Sequence, residues 1–304
     1  GPRVQEAHAD PAPTVPWRRS APVPAHSPFR PRWNVLRQRA GAVAAVCVMV
    51  CGSWLGWAHW RQQAIFEQVF ASARGQQRTV HLPDAEQGST VQLDTATRLT
   101  ARLYRDRREV LLEDGQALFS VKSDRDRPFH VWAGGVRITV VGTRFSVRST
   151  AAGVDAGKTV VSVQEGRVRV VRARTLSDFG QAGQAAQSVD DVGNPQTSGG
   201  AGAGAVELVA GEAVAADAAG QLGPVTRVPV SDVASWRDGR ISFDQTPLAQ
   251  AIEEFERYAP TGLVVNDPAL AALPVGGSYH RKDWQHFART LGQVLPVRLV
   301  QRAN

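Results

Sequence analysis

Hydrophobic positions fall into three regimes along the chain. Across residues 40–60 no Asp, Glu, Lys or Arg interrupts an apolar run. At about 1.5 Å of rise per residue such a run reaches across a hydrocarbon core, so the pattern predicts one transmembrane helix over 40–60. A short stretch at 62–73 reads as helix, and then the period changes to two. Apolar and polar residues alternate in Val91-Gln92-Leu93, 99–103, 117–121, 136–140, Phe145-Ser146-Val147, Val161-Ser162-Val163 and Val168-Arg169-Val170. Turn signals stand between them at Gly88, Asp114-Gly115, Gly134-Gly135 and Glu165-Gly166. Short strands at this spacing predict a mainly β domain, sandwich- or solenoid-like, over 78–230. Residues 173–204, rich in Gly, Ala and Ser, break the pattern and read as a flexible insert.

The third regime occupies 235–304. A strand at Ile241-Ser242-Phe243 leads to Thr246-Pro247, read as a helix N-cap with proline at the first helical position. Leu248, Ala251, Ile252 and Phe255 then recur on one helix face. Strands are predicted around Leu263-Val264-Val265 and 275–279. A second helix is capped by Asp283 with Trp284, Phe287 and Leu291 inward, and a last strand covers 297–300. Together these make a small C-terminal α+β domain of βαββαβ order.

Charge sets the orientation. Residues 1–38 hold eight prolines, which forbid a helix of useful length and predict an extended tail. Arg30, Arg32, Arg37 and Arg39 precede the apolar run, whereas only Arg61 follows closely, and Trp54, Trp57 and Trp60 crowd its far end. The positive-inside rule then places the N-terminus in the cytoplasm and the C-terminus in the periplasm of a single-pass bacterial inner-membrane protein. A cleaved signal peptide needs a small-residue site after the apolar stretch, and Trp57-Ala58-His59-Trp60-Arg61 is a poor one. Of the net charge of +7, residues 1–39 carry +5, and the rest is close to neutral. A folded nucleic-acid reader would carry its excess on a structured face, so direct nucleic-acid binding is not expected.

Little in the chain points to chemistry on other molecules. Cys47 and Cys51, the only cysteines, lie inside the apolar run, which leaves no disulfide or thiol chemistry for the soluble parts. The seven histidines are scattered; His280, Asp283 and His286 gather near a helix start and read as surface residues and a cap. No phosphate loop or serine elbow stands out. Asp124 with Asp126, and Glu253 with Glu254, read as solvated faces. No cofactor, no metal and no enzymatic activity on other molecules are expected. Between two strands, Val141-Gly142-Thr143-Arg144-Phe145 admits two readings. One is a bulge or bend at glycine. The other is a strained peptide at which the Thr143 hydroxyl attacks the Gly142 carbonyl, forming an ester that water cleaves.

The chain resembles FecR-type regulators of sigma factors. The resemblance rests on Leu93-Asp94, on 109–121 (Glu-Val-Leu-Leu-Glu-Asp-Gly-Gln-Ala-Leu-Phe-Ser-Val), on Arg127-Pro128-Phe129-His130-Val131, on 141–147 and on 161–168. Trp236-Arg237-Asp238-Gly239-Arg240-Ile241-Ser242-Phe243, Thr246-Pro247-Leu248-Ala249 and Glu256-Arg257-Tyr258 are similar to the small signalling-type domain that ends many members. The resemblance implies a transmembrane anti-sigma regulator of cell-surface signalling. Its implied partners are an extracytoplasmic-function sigma factor, the signalling domain of a TonB-dependent outer-membrane receptor that takes up an iron chelate or haem, and envelope proteases. Self-cleavage in such proteins falls on a Gly-Thr pair, which maps onto Gly142 and Thr143. Receptor binding falls to the C-terminal unit, with Trp236, Phe243, Leu248 and Tyr258 as candidate binding residues. Family members usually carry a helical sigma-binding domain before the span, and the proline-rich tail does not resemble one. An alternative reading is a structural or glycan-binding envelope module, for which Trp132 and Tyr104 are the candidate exposed aromatics.

Overall fold

The computed structural model describes residues 48–54, 56–57, 59–86, 88–173, 179 and 204–294. The tail 1–38, nearly all of the insert 173–204 and the strand expected at 297–300 lie outside these residues. Residues 48–54, 56–57 and 59–62 are helical. Among the described residues no helix is long and apolar enough to cross a membrane, which corrects the expectation of one transmembrane helix. The described helical stretch falls short of the roughly 20 residues a span requires, and 40–47 lie outside it.

The remainder is dominated by strands. In chain order they are β1 (Phe66–Ala71), β2 (Arg78–His81), β3 (Thr90–Leu93), β4 (Arg98–Leu103), β5 (Arg108–Ser120), β6 (Phe129–Ala133), β7 (Val136–Val140), β8 (Arg144–Ser149), β9 (Thr159–Glu165), β10 (Arg167–Arg172), β11 (Ala205–Val209), β12 (Glu212–Ala216) and β13 (Thr226–Arg227). The stretch 62–73 is therefore corrected from helix to largely strand. Phe66 and Phe70 stand four apart, as on a helix face, but antiparallel pairing with β4 decides the conformation.

The long strand β5 organises the domain. Its first half pairs antiparallel with β4 and parallel with β6, and its second half pairs antiparallel with β3 and β8. One curled sheet thus folds back into two layers. One layer runs β11-β10-β7-β6-β5-β4-β1, and the other runs β2-β3-β5-β8-β9-β12-β13. The corner is Gly115, at φ +106°, where a Cβ would lie 2.6 Å from the Thr97 Cα. Between the layers lies a continuous apolar core to which both contribute: Val110, Phe129 and Val131 from one, Phe119, Phe145 and Val147 from the other. Phe119 stacks on Phe145 at 5.2 Å and meets Phe129 edge-on at 6.2 Å, which ties the layers together. At one end the fully buried Arg108 bonds Asp84 at 2.7 Å and donates to the carbonyls of Lys122 (3.1 Å) and Arg127 (2.9 Å). It fixes the loop that follows β5.

The C-terminal unit comprises a 3-10 turn (Ser235–Asp238), β14 (Arg240–Pro247), α1 (Leu248–Tyr258), α2 (Pro268–Ala271), β15 (Pro274–His280) and α3 (Trp284–Val294). Its sheet has two strands among the described residues, β14 and β15, with an irregularity between Phe243 and Thr246. The βαββαβ expectation is corrected accordingly. Leu263 and Val265 pack partly buried against the core of the unit, but residues 260–267 join no sheet. Pro247 stands at the N-cap of α1, and the Thr246 side chain makes no cap bond. Phe243, Phe255, Tyr279 and Phe287 form a ring cluster with centroids 4.9–6.2 Å apart, closing a small core of its own.

Candidate functional site

Gly142 and Thr143 lie in the bend between β7 and β8. Hydrogen bonds from the loop after β5 bracket them, with Val121 N–H donating to the Thr143 carbonyl (3.0 Å) and Asp124 N–H to the Val141 carbonyl (3.2 Å). Gly142 does not adopt a positive φ, so what demands glycine here is close packing. A Cβ would come within 2.6 Å of the Ser123 Cβ and 2.7 Å of its Cα. The side chain of Thr143 is buried, and its hydroxyl donates to the Arg167 carbonyl at 2.9 Å. That acceptor orients the hydroxyl but cannot carry a proton away, as a general base would. The register irregularity falls one step later, between Arg144 and Phe145 in the β8–β9 ladder.

A denser set of polar contacts lies where α1 meets the β domain. Glu254, on α1, is 2% exposed and takes a two-pronged ion pair from Arg148 of β8, through Nη1 at 3.1 Å and through Nη2. Arg257 Nη1 reaches the same carboxylate at 3.1 Å, and so does the Val154 N–H. Burial alone would raise the Glu254 pKa, but the two guanidinium groups outweigh it and hold the carboxyl below its usual range. One turn on, the Tyr258 hydroxyl donates to Asp94 Oδ2 at 2.6 Å. Burial pushes the Asp94 carboxyl up despite that bond and the nearby Arg257. Thr95 Oγ1 donates to the Arg257 carbonyl (2.8 Å), Gly153 N–H to Glu253 (3.1 Å), and Arg74 to Glu256 (2.9 Å). Apolar contact across this seam is sparse: Trp236 and Ala234 pack on Leu118, and Val154 packs on the C-terminal core. A cavity of about 290 Å³ opens beside it, lined by Gln116, Arg148, Trp236, Arg240, Glu254 and Tyr258 among others. The Trp236 Nε1 is buried without a hydrogen-bond partner.

The four residues expected to face a receptor are interior. Trp236, Phe243, Leu248 and Tyr258 are between 2% and 6% exposed. Phe243 and Leu248 belong to the C-terminal core, while Trp236 and Tyr258 join that unit to the β domain. In this arrangement their side chains pack inside the protein rather than on an exposed face. Glu254 is likewise corrected from a solvated face to a buried ion pair. Trp132 and Tyr104 are buried too, which leaves the glycan-binding alternative without its aromatic candidates. Sequence reasoning missed Arg148, Asp94, Thr95 and Arg74 as partners of α1. No local signal reveals a pair separated by 106 residues, as Arg148 and Glu254 are. Among the described residues no three His, Cys, Asp or Glu side chains group as a metal site.

Comparison with known proteins adds the following. Residues 68–169, from β1 into β10, match the family described as FecR protein. Two crystal structures of a candidate anti-sigma factor from Parabacteroides distasonis ATCC 8503 share the fold. Their TM-scores are 0.59 and 0.56, each at 20% identity, covering 78% of this chain and 95% of theirs. No curated protein matches the chain.

Proposed function

From a chain that carries a FecR domain over residues 68–169, we propose a regulator of an extracytoplasmic-function sigma factor. The observation that carries the reading is that family match, set in a fold shared with the candidate anti-sigma factor over 78% of the chain. In this reading the chain relays a signal from a TonB-dependent outer-membrane receptor loaded with an iron chelate or haem. The C-terminal unit meets the receptor's signalling domain, and envelope proteases act downstream. The apolar ring cluster gives that unit its own core, so it can present a defined surface.

Self-cleavage at Gly142-Thr143 belongs to the same proposal. The reaction would be an attack by the Thr143 hydroxyl on the Gly142 carbonyl, with the proton passing to the Thr143 nitrogen as the peptide bond breaks. Water then splits the ester, returning the hydroxyl and leaving a Gly142 carboxylate. What supports it is the placement of the exposed Gly142 and the buried Thr143 side by side in one tightly backed bend. The proposal is tested by a pull-down of the full chain with the receptor's signalling domain, run beside intact mass of wild type and Thr143→Ala. Recovery of the receptor domain supports the relay. Two fragments meeting at Gly142-Thr143 in wild type alone support self-cleavage. An empty pull-down and a whole wild-type chain count against each in turn.

A further inference from the structure

The seam between α1 and the β domain has a composition unlike the interior on either side of it. Behind it lies the apolar core of the β domain, built from both sheet layers, and in front of it the closed ring cluster of the C-terminal unit. The seam itself is held mainly by Arg148–Glu254–Arg257, Tyr258–Asp94, Thr95 with the Arg257 carbonyl, and Arg74–Glu256. Among the described residues Trp236, Ala234, Leu118 and Val154 supply the apolar contact, and a cavity opens alongside. Buried ion pairs gain little net free energy, because separating the partners returns both to water. Apolar cores have no such compensation on opening. Opening the seam therefore costs less than opening either core, and interfaces of this kind inside a chain allow relative motion of the parts.

We propose that the seam is a releasable latch: the C-terminal unit undocks from the FecR-containing β domain as a folded body, and the Arg148–Glu254 pair sets how often it does so. The idea rests on the regulatory reading above for its use, since a regulator needs an element with two arrangements that a partner can bias. In the docked arrangement the face of α1 bearing Glu254 and Tyr258 is covered. In the undocked one that face and Arg148 become available together.

Hydrogen exchange on the full chain, read by mass spectrometry, tests this without any partner or promoter. The informative amides are Gly153 and Val154, which donate across the seam to Glu253 and Glu254. Controls are the ladder amides around Val110, Phe119 and Phe145, and those in α1. In wild type the seam amides should exchange at least tenfold faster than the ladder. In Glu254→Gln, which leaves the buried Arg148 without a charge partner, they should accelerate at least a further tenfold while the ladder and α1 amides stay unchanged. Tyr258→Phe, which keeps the ring and loses the bond to Asp94, should move the same amides by a smaller factor. The latch is overturned if seam, ladder and α1 amides accelerate together, which would make the two parts one cooperative body. It is overturned equally if neither variant changes the seam amides. A missing sigma-factor effect in cells would defeat the regulatory reading and leave these exchange results standing.

Discussion

The two-layer fold depends on one backbone position, and Gly115→Ala should show it. At φ +106° a residue with a Cβ is strained by about 1–3 kcal/mol. The added methyl would also sit 2.6 Å from the Thr97 Cα and 2.7 Å from its Cβ, well inside contact distance. Overpacking of this kind costs about 1–3 kcal/mol more. The nearest atom is the Thr97 Oγ1, at 2.3 Å, but the Thr97 Cα and Cβ remain when that hydroxyl is removed, so trimming the neighbour to alanine leaves the backbone clash in place. Thr97→Ala loses hydrogen bonds of its own, since Oγ1 accepts from Gln116 N–H at 3.1 Å and donates to the Thr95 carbonyl at 3.1 Å. The double variant should therefore be no more stable than Gly115→Ala alone. Urea unfolding followed by circular dichroism measures this, with a loss of about 2–6 kcal/mol expected from the sum of the two effects. A Gly115→Ala midpoint within error of wild type would refute the corner. A double variant restored to the Thr97→Ala level would refute the backbone clash.

Other outcomes follow from buried polar groups. Burial, aided by Arg137, Arg107 and Arg108, pushes the His130 imidazole down to about 3. The unfolded chain binds that proton near pH 6.5, so stability falls as pH drops from 6.5 towards 3, by on the order of 1.4 kcal/mol per unit. Urea midpoints at pH 7, 5.5 and 4.5 should fall more steeply in wild type than in His130→Gln; parallel slopes would contradict this. Asp84→Asn should cost about 3–5 kcal/mol, because it leaves the buried Arg108 guanidinium without its charge partner. Asp84→Asn with Arg108→Met should recover part of that loss in the same unfolding assay, and a strictly additive pair would argue against the coupling.

The strands of the β domain were legible because each carries its own period. Residues 136–140, for example, alternate buried and half-buried, with Val136, Ile138 and Val140 inward. What joins the strands was not legible. The parallel pairing of β5 with β6 joins residues that no local pattern links, and the passage of β5 between layers turns on Gly115 meeting Thr97, where the sequence around Asp114-Gly115 reads only as a turn. Glu253 and Glu254 look alike in sequence, yet one is exposed and the other is buried against Arg148. That difference is set by a strand more than a hundred residues away. Trp236 and Tyr258 are placed in the seam for the same reason. Large aromatics with a polar tip suit a partly wet seam as well as a docking face, and only the fold says which they occupy. Gly142 was read with two alternatives open, and the close approach of Ser123 gives a steric reason for glycine there.

The most direct test of the account is transcription from a promoter read by an extracytoplasmic-function sigma factor, measured in cells with and without this chain. The account predicts that removing the chain changes promoter output in either direction by roughly fivefold or more, the lower end of a regulatory coupling, and that restoring it reverses the change. Output that stays level for every such sigma factor in the cell would contradict the proposed role of this chain.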